Sequence, residues 1–169
     1  MVNIRLATVN DVESITNIYN EAILKTVATF DTEMKTIKQQ RKWFEDHTAK
    51  NPVLVAEENG VIFGFASLSK YSNRCAYSDT AEISLYIMEE FQETGIGKKL
   101  MKAIIDEGEK SGLHAVIARI TDGNEKSIHL HKSVGFEHIG TMKEVGLKFD
   151  KRLDVALMQK VYKNSKSKP

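Results

Sequence analysis

Residues 83–100, ISLYIMEEFQETGIGKKL, run from strand-forming residues through a glycine turn into a helix. Past the turn, Ile96, Leu100 and Ile104 recur every four residues, with Met101 and Ile105 beside them. One apolar face therefore extends to about Ser111. The first amides of such a helix lack a partner within it, and its dipole favours an anion there. Gly95 and Gly97 leave the backbone open to close approach. The segment predicts a seat for a phosphate or pyrophosphate behind a central strand at 81–88. A Walker loop is excluded, because Gln92 stands where glycine is needed and Lys99 where serine or threonine is needed. A dinucleotide fingerprint lacks its third glycine near Leu100 and its early place in the chain. A plain strand–loop–helix connection with two permissive glycines stays open at this point.

The flanking sequence predicts a mixed α/β fold, a twisted sheet flanked by helices. Ile4 to Leu6 read as a first strand, and Asn10 with Glu13 as the cap of a helix carrying Val12, Ile15, Ile18, Tyr19, Ala22 and Ile23. Thr36 with Gln39 caps a second helix bearing Trp43 and Phe44. Strands at 53–57 and 61–69 join across Asn59-Gly60, and a polar loop fills 70–80. Gly112 ends the long helix, and a strand at 115–121 returns parallel to the central one through a helical crossover. Asn124 caps a short helix over 125–134, stopped by Gly135-Phe136, and strands at 138–148 and 153–161 complete the chain. One domain over 1–162 and a frayed polar tail over 163–169 are expected. The 24 basic and 23 acidic residues are interspersed, so neither nucleic acid nor an anionic membrane is an expected partner. The single cysteine, Cys75, is expected to pack rather than react. With no apolar run of membrane length and no signal peptide pattern, it suits a cytoplasmic protein.

Gln92-x-x-Gly95-x-Gly97 resembles the pyrophosphate motif of the GNAT family of acetyl-CoA-dependent N-acetyltransferases. Asn124 to Phe136, NEKSIHLHKSVGF, is similar to that family's last cofactor motif. Within the family the chain resembles the phosphinothricin and methionine sulfone acetyltransferase branch. Ile18-Tyr19-Asn20, Thr29-Phe30, Trp43-Phe44, Arg74-Cys75-Ala76-Tyr77, Thr80-Ala81-Glu82, Ser84-Leu85-Tyr86-Ile87 and Leu153-Asp154-Val155 carry that likeness in order along the chain. The resemblance implies a single-domain GNAT fold, acetyl-CoA as co-substrate, no metal, a small amino-acid-like amine substrate and a homodimer.

It also implies roles for particular residues. The backbone of Leu85, Tyr86 and Ile87 would pair with pantetheine, with an N–H for the thioester oxygen. Amides of Glu93, Thr94, Gly95, Ile96, Gly97 and Lys98 would hold the pyrophosphate, with Asn124 and Ser133 flanking the pantetheine. Glu82 would take the amine proton, directly or through water. His131 stands where many relatives have a tyrosine. Protonated, it would donate to the leaving thiolate; otherwise it orients the cofactor or a water. Arg74 is the expected carboxylate clamp. Ser72, Asn73, Ile83 and Ser84 would lie near the amine, with Phe30 and Tyr77 walling the pocket. Two other readings stay open: the same fold acting on a polyamine, peptide terminus or other amine, and a non-catalytic acyl-CoA sensor.

Overall fold

Four strands laid side by side in chain order, each antiparallel to the last, make the first half of the sheet: β1 (Asn3–Leu6), β2 (Val53–Glu58), β3 (Val61–Lys70) and β4 (Thr80–Ile87). After the helix α3 (Ile96–Lys110), the chain returns as β5 (Ala115–Thr121), parallel to β4. Then β6 (Glu137–Lys148) and β7 (Lys151–Val161) form a hairpin that docks through β7, giving seven strands in the order β1-β2-β3-β4-β5-β7-β6. The computed structural model describes residues 1–163; of the tail expected at 163–169, all but Lys163 lies outside the described residues.

Periodicity explains which face each helix buries. On α3, Ile96, Leu100, Met101, Ile104 and Ile105 are all buried, against Leu54, Leu68, Val116 and Met158 of the sheet. Each such side chain contributes about 1.5–3 kcal/mol by leaving water. The opposite face is covered by α1 (Val12–Lys25), whose Ile15 and Ile18 meet Val53, Val55 and Phe65. Beside it lies α2 (Ile37–Glu45), capped by Thr36 and Gln39 as its sequence predicts. The short helix α4 (Glu125–Ser133) begins at Asn124, whose side chain accepts the Ser127 amide hydrogen at 3.2 Å. Asn59 and Gly60 take the two positive φ values, 53° and 80°, that their hairpin turn needs.

Three expectations are corrected. Cys75, expected to pack, is exposed on the loop between β3 and β4. Asn10 does not cap α1: a one-turn helix over Val9–Asp11 comes first. There the Asp11 carboxylate accepts the Thr8 amide hydrogen at 2.7 Å and pairs with Arg5 at 2.7 and 2.9 Å. The guanidinium holds the Asp11 carboxyl below the usual range and fixes it in place, so Asp11 takes the role expected of Glu13. The last strand starts at Lys151 rather than 153, because Phe149 and Asp150 adopt left-handed φ values of 51° and 58° in a two-residue turn. Phenylalanine seldom occupies that region, so the turn leaves no mark in the residue pattern.

Candidate active site

The β4–β5 ladder is short. It pairs Thr80 with Ala115, Ala81 with Val116 and Glu82 with Ile117, and stops there. Beyond it β4 stays paired with β3 and β5 with β7, so the two strands diverge. A cleft of about 500 Å³ opens between them. The edge of β4 over Ile83–Ile87 is left unpaired toward β5 among the described residues, a backbone edge that another extended group can join.

Glu82 sits at the fork. Arg119, two residues past Ile117 on β5, grips both its carboxylate oxygens, Nε to Oε1 at 2.8 Å and Nη2 to Oε2 at 2.7 Å. The pair lines the cleft, with the Glu82 side chain 23 % exposed. The Glu82 carboxylate raises the Arg119 guanidinium above its already high value.

His131 enters from α4 and is buried. Its Nδ1 lies 2.7 Å from the Ser127 carbonyl oxygen, one helical turn back, and its ring meets Phe136 edge-on at 5.1 Å. A carbonyl only accepts, so Nδ1 carries the proton and Nε2 offers a lone pair. Burial lowers the imidazole pKa below its ordinary value. The ring is therefore neutral near pH 7, which suits an acceptor or orienting group better than a proton donor.

The remaining wall comes from the loop after α1 and from β6. Tyr19 donates to Asp31 and lies 3.0 Å from Thr29 Oγ1, while burial pushes the Tyr86 phenol up to about 12. Phe30 lies against Gly146, where even a Cβ would fall 2.1 Å from the ring. Past β4, Gly95 takes φ +84° at the N-cap of α3, and no side chain caps that end. The amides of Ile96, Gly97 and Lys98 thus face outward as the expected anion seat. Gln92 braces the turn by donating to the Ile87 carbonyl at 3.0 Å, and the Glu93 carboxylate pairs with Lys126 of α4.

Of the residues expected at the site, Phe30, Glu82, Ile83, Ser84, Leu85, Tyr86, Asn124 and His131 line one cleft. Ile87 closes its strand edge; Glu93 to Gly95 form the turn beyond, and Ile96 to Lys98 open α3. Ser72, Asn73, Arg74 and Tyr77 lie on the β3–β4 loop and do not line the cleft. Ser133 sits on the far side of α4 from His131, donating to the Leu130 carbonyl, and with Lys98 lines a separate groove. Arg119, Asp31, Thr121 and Ser127 line the cleft with no site role read from sequence, and Tyr19, read there as part of the first helix and of the family likeness, joins them. Arg119 had a signal: it is the one charge in the strand AVIARIT.

An acetyltransferase (GNAT) domain model matches residues 4–157. The chain belongs to the GNAT acetyltransferases. It is 39% identical to the L-amino acid N-acyltransferase MnaT of Escherichia coli (strain K12), covering 94% of this chain and 92% of that one. It is 38% identical to the L-methionine sulfoximine/L-methionine sulfone acetyltransferase of Salmonella typhimurium, covering 94% and 93%. The GNAT superfamily phosphinothricin acetyltransferase of Sinorhizobium meliloti, solved with acetyl-CoA, superposes with a TM-score of 0.94 at 34% identity, covering 99% of this chain and 92% of that one. This GNAT protein is thus an acetyl-CoA-dependent N-acetyltransferase. Its unpaired β4 edge and uncapped α3 end suit a long pantetheine arm and a pyrophosphate.

Proposed function

We propose that the enzyme acetylates the α-amine of a small amino acid of the methionine sulfone, methionine sulfoximine or phosphinothricin type, by direct attack in a ternary complex. The observation carrying this reading is the Glu82–Arg119 pair at the fork of the strands. A carboxylate and a guanidinium side by side match the ammonium and carboxylate of an α-amino acid with opposite sign. The names of the relatives in Escherichia coli, Salmonella typhimurium and Sinorhizobium meliloti support the same substrate class.

Glu82 accepts a proton from the substrate ammonium, directly or through one water, and the freed nitrogen attacks the thioester carbon. An amide of the Leu85–Ile87 edge receives the oxyanion. When the C–S bond breaks, one of the two protons on the bonded nitrogen passes to the departing thiolate, giving the N–H amide and free coenzyme A. His131, neutral with Nε2 available, orients the pantetheine or a water rather than supplying that proton. Arg119 takes the α-carboxylate, the role first assigned to Arg74. Cys75 forms no acyl-enzyme.

The active form is a homodimer in the cytoplasm. Support for the dimer is the exposed apolar set Ile139, Val145, Leu147 and Phe149 on and beside β6, which ends the sheet, with the exposed Tyr71–Tyr77 ring pair on the β3–β4 loop. The deciding experiment follows thiol release from acetyl-CoA over methionine sulfone, phosphinothricin, ordinary amino acids, spermidine and a peptide. Turnover confined to the methionine and glutamate analogues is expected; turnover only with peptide or polyamine, or none at all, overturns the substrate.

A further inference from the structure

We infer that a second cavity, walled by α2, β3 and β4, receives the end of the substrate's side chain and is built for a group carrying several acceptor oxygens. This rests on the amino-acid substrate proposed above. The cavity, about 320 Å³, adjoins the acetyl-transfer cleft, and Tyr19, Asp31, Ser84 and Tyr86 line both.

Gln40 is 5 % exposed and Ser67 1 %, and both line this cavity. Neither side chain hydrogen-bonds another described residue, yet no polar side-chain atom sealed within the described residues lacks a partner. Their polar atoms therefore open onto the cavity. The neighbours are already engaged: Gln39 Oε1 accepts the Thr36 amide hydrogen at 2.8 Å, and Ser69 Oγ is 3.0 Å from His47 Nε2. Burying an amide and a hydroxyl without protein partners disfavours folding unless something in the space satisfies them.

Sequence places the two groups together. The Thr36 cap sets the phase of α2, so that Gln40, Trp43 and Phe44, three and four residues apart, share its inner face. Ser67 pairs with Ser84 across β3 and β4. Trp43 and Phe65, edge to face at 6.2 Å, and Tyr86 beyond them give apolar walls. Lys35 also stands at the lining, 3.3 Å from Asp31.

The chemistry of an occupant follows. Aromatic walls suit methylenes, while the Gln40 amide offers two donors and the Ser67 hydroxyl one. Ser84 is two residues from Glu82 on the same side of β4, about 6.6 Å along the strand. An amine held at Glu82 thus reaches the cavity through a two-carbon stem. A sulfone, sulfoximine or phosphinate at the end of that stem supplies the acceptors.

Trp43 is the only tryptophan in the chain and walls the cavity, so its emission reports occupancy. Titrating the enzyme with methionine sulfone is expected to give a saturable change in emission. In Q40L and S67A the midpoint is expected to rise about tenfold, and the kcat/KM preference for methionine sulfone over methionine to fall by a similar factor. S67A removes a single oxygen, so the test survives any misfolding of Q40L. Turnover of methionine sulfone with silent Trp43 emission and unchanged preference in both variants overturns the subsite and leaves the proposed function standing. No turnover with any α-amino acid overturns the substrate reading and the subsite with it.

Discussion

Glu82 and Arg119 meet where β4 and β5 part, two strands that pair through Ile117 and no further, and their bidentate contact closes the fork. The carboxylate is held in one orientation before any substrate arrives. E82Q keeps the shape and removes the proton acceptor, so kcat is expected to fall about 10²–10⁴-fold while acetyl-CoA binding is retained. Unchanged turnover in E82Q would remove Glu82 as the base.

Arg119 separates from Glu82 by what it binds. R119A is expected to raise KM at least about tenfold for α-amino acids, with little effect on the matching amine that lacks the carboxylate. R119K should restore only part of the loss, because an ammonium cannot grip a carboxylate in two places. Steady-state kinetics with the paired substrates decides this; equal losses on both would show that Arg119 only steadies Glu82. Arg74→Ala tests the competing clamp, and a loss confined to that variant returns the carboxylate to Arg74.

His131 makes stability depend on pH. Its folded-state pKa is lowered, first by burial, whereas a histidine in the unfolded chain titrates at about 6.5. Between those values the unfolded chain binds more protons, so stability rises with pH. The stabilisation is fully present above the unfolded value and is lost as pH falls through the folded one. His47, lowered by the same cause, acts in the same direction. Urea unfolding at about pH 7.5 and about pH 5.5 should show the loss for the native chain and a smaller loss for H131N. Equal losses would mean His131 does not titrate in this range.

Much of the scaffold was legible because it rests on local rules. The four-residue spacing on α3, the Thr36–Gln39 cap, the Asn59-Gly60 turn and the Asn124 cap each depend on a few neighbouring residues. Glu82 and His131 were legible as motif members, and the fold brings them to one cleft. Arg74 was chosen for its guanidinium, but periodicity does not say where a polar loop runs, and this one does not line the cleft. Arg119 was passed over although a charge in an apolar strand needs a partner; the partner lies 37 residues away on a strand whose register no local pattern reveals. Ser133, expected to flank the pantetheine, lies two residues along the helix from His131 and lines a separate groove, a placement no local pattern states.

Gly108 offers a test in which two effects oppose each other. Alanine in the middle of α3 would favour the helix by about 1 kcal/mol over glycine. A Cβ there would fall 2.6 Å from Tyr162 Oη and 2.7 Å from Leu68 Cδ1, and Tyr162 is held by its bond to the Ile105 carbonyl at 2.7 Å. Overpacking of that kind costs about 1–3 kcal/mol, so the clash wins and G108A should be less stable than the native chain. Thermal unfolding measures the sign directly. A raised Tm would mean that Tyr162 and Leu68 shift aside freely.

At Gly146 the same steric argument reaches function. The Phe30 ring packs where a Cβ would sit, at 2.1, 2.6 and 2.7 Å from three ring carbons, so G146A must expel the ring. Phe30 is 37 % exposed and lines the cleft, so expulsion releases little core area but alters the substrate wall. KM for the amine should rise several-fold, with kcat and the KM for acetyl-CoA much less affected, and Tm should move little. F30A removes the ring without moving β6 and should reproduce the change in KM. If G146A loses stability and F30A leaves KM intact, the contact serves the hairpin of β6 and β7 rather than the substrate. Combining the two substitutions then separates the roles, because F30A removes the atoms that the new Cβ would strike. Near-native stability in the double variant, with KM still raised, is the outcome that assigns Phe30 to the site.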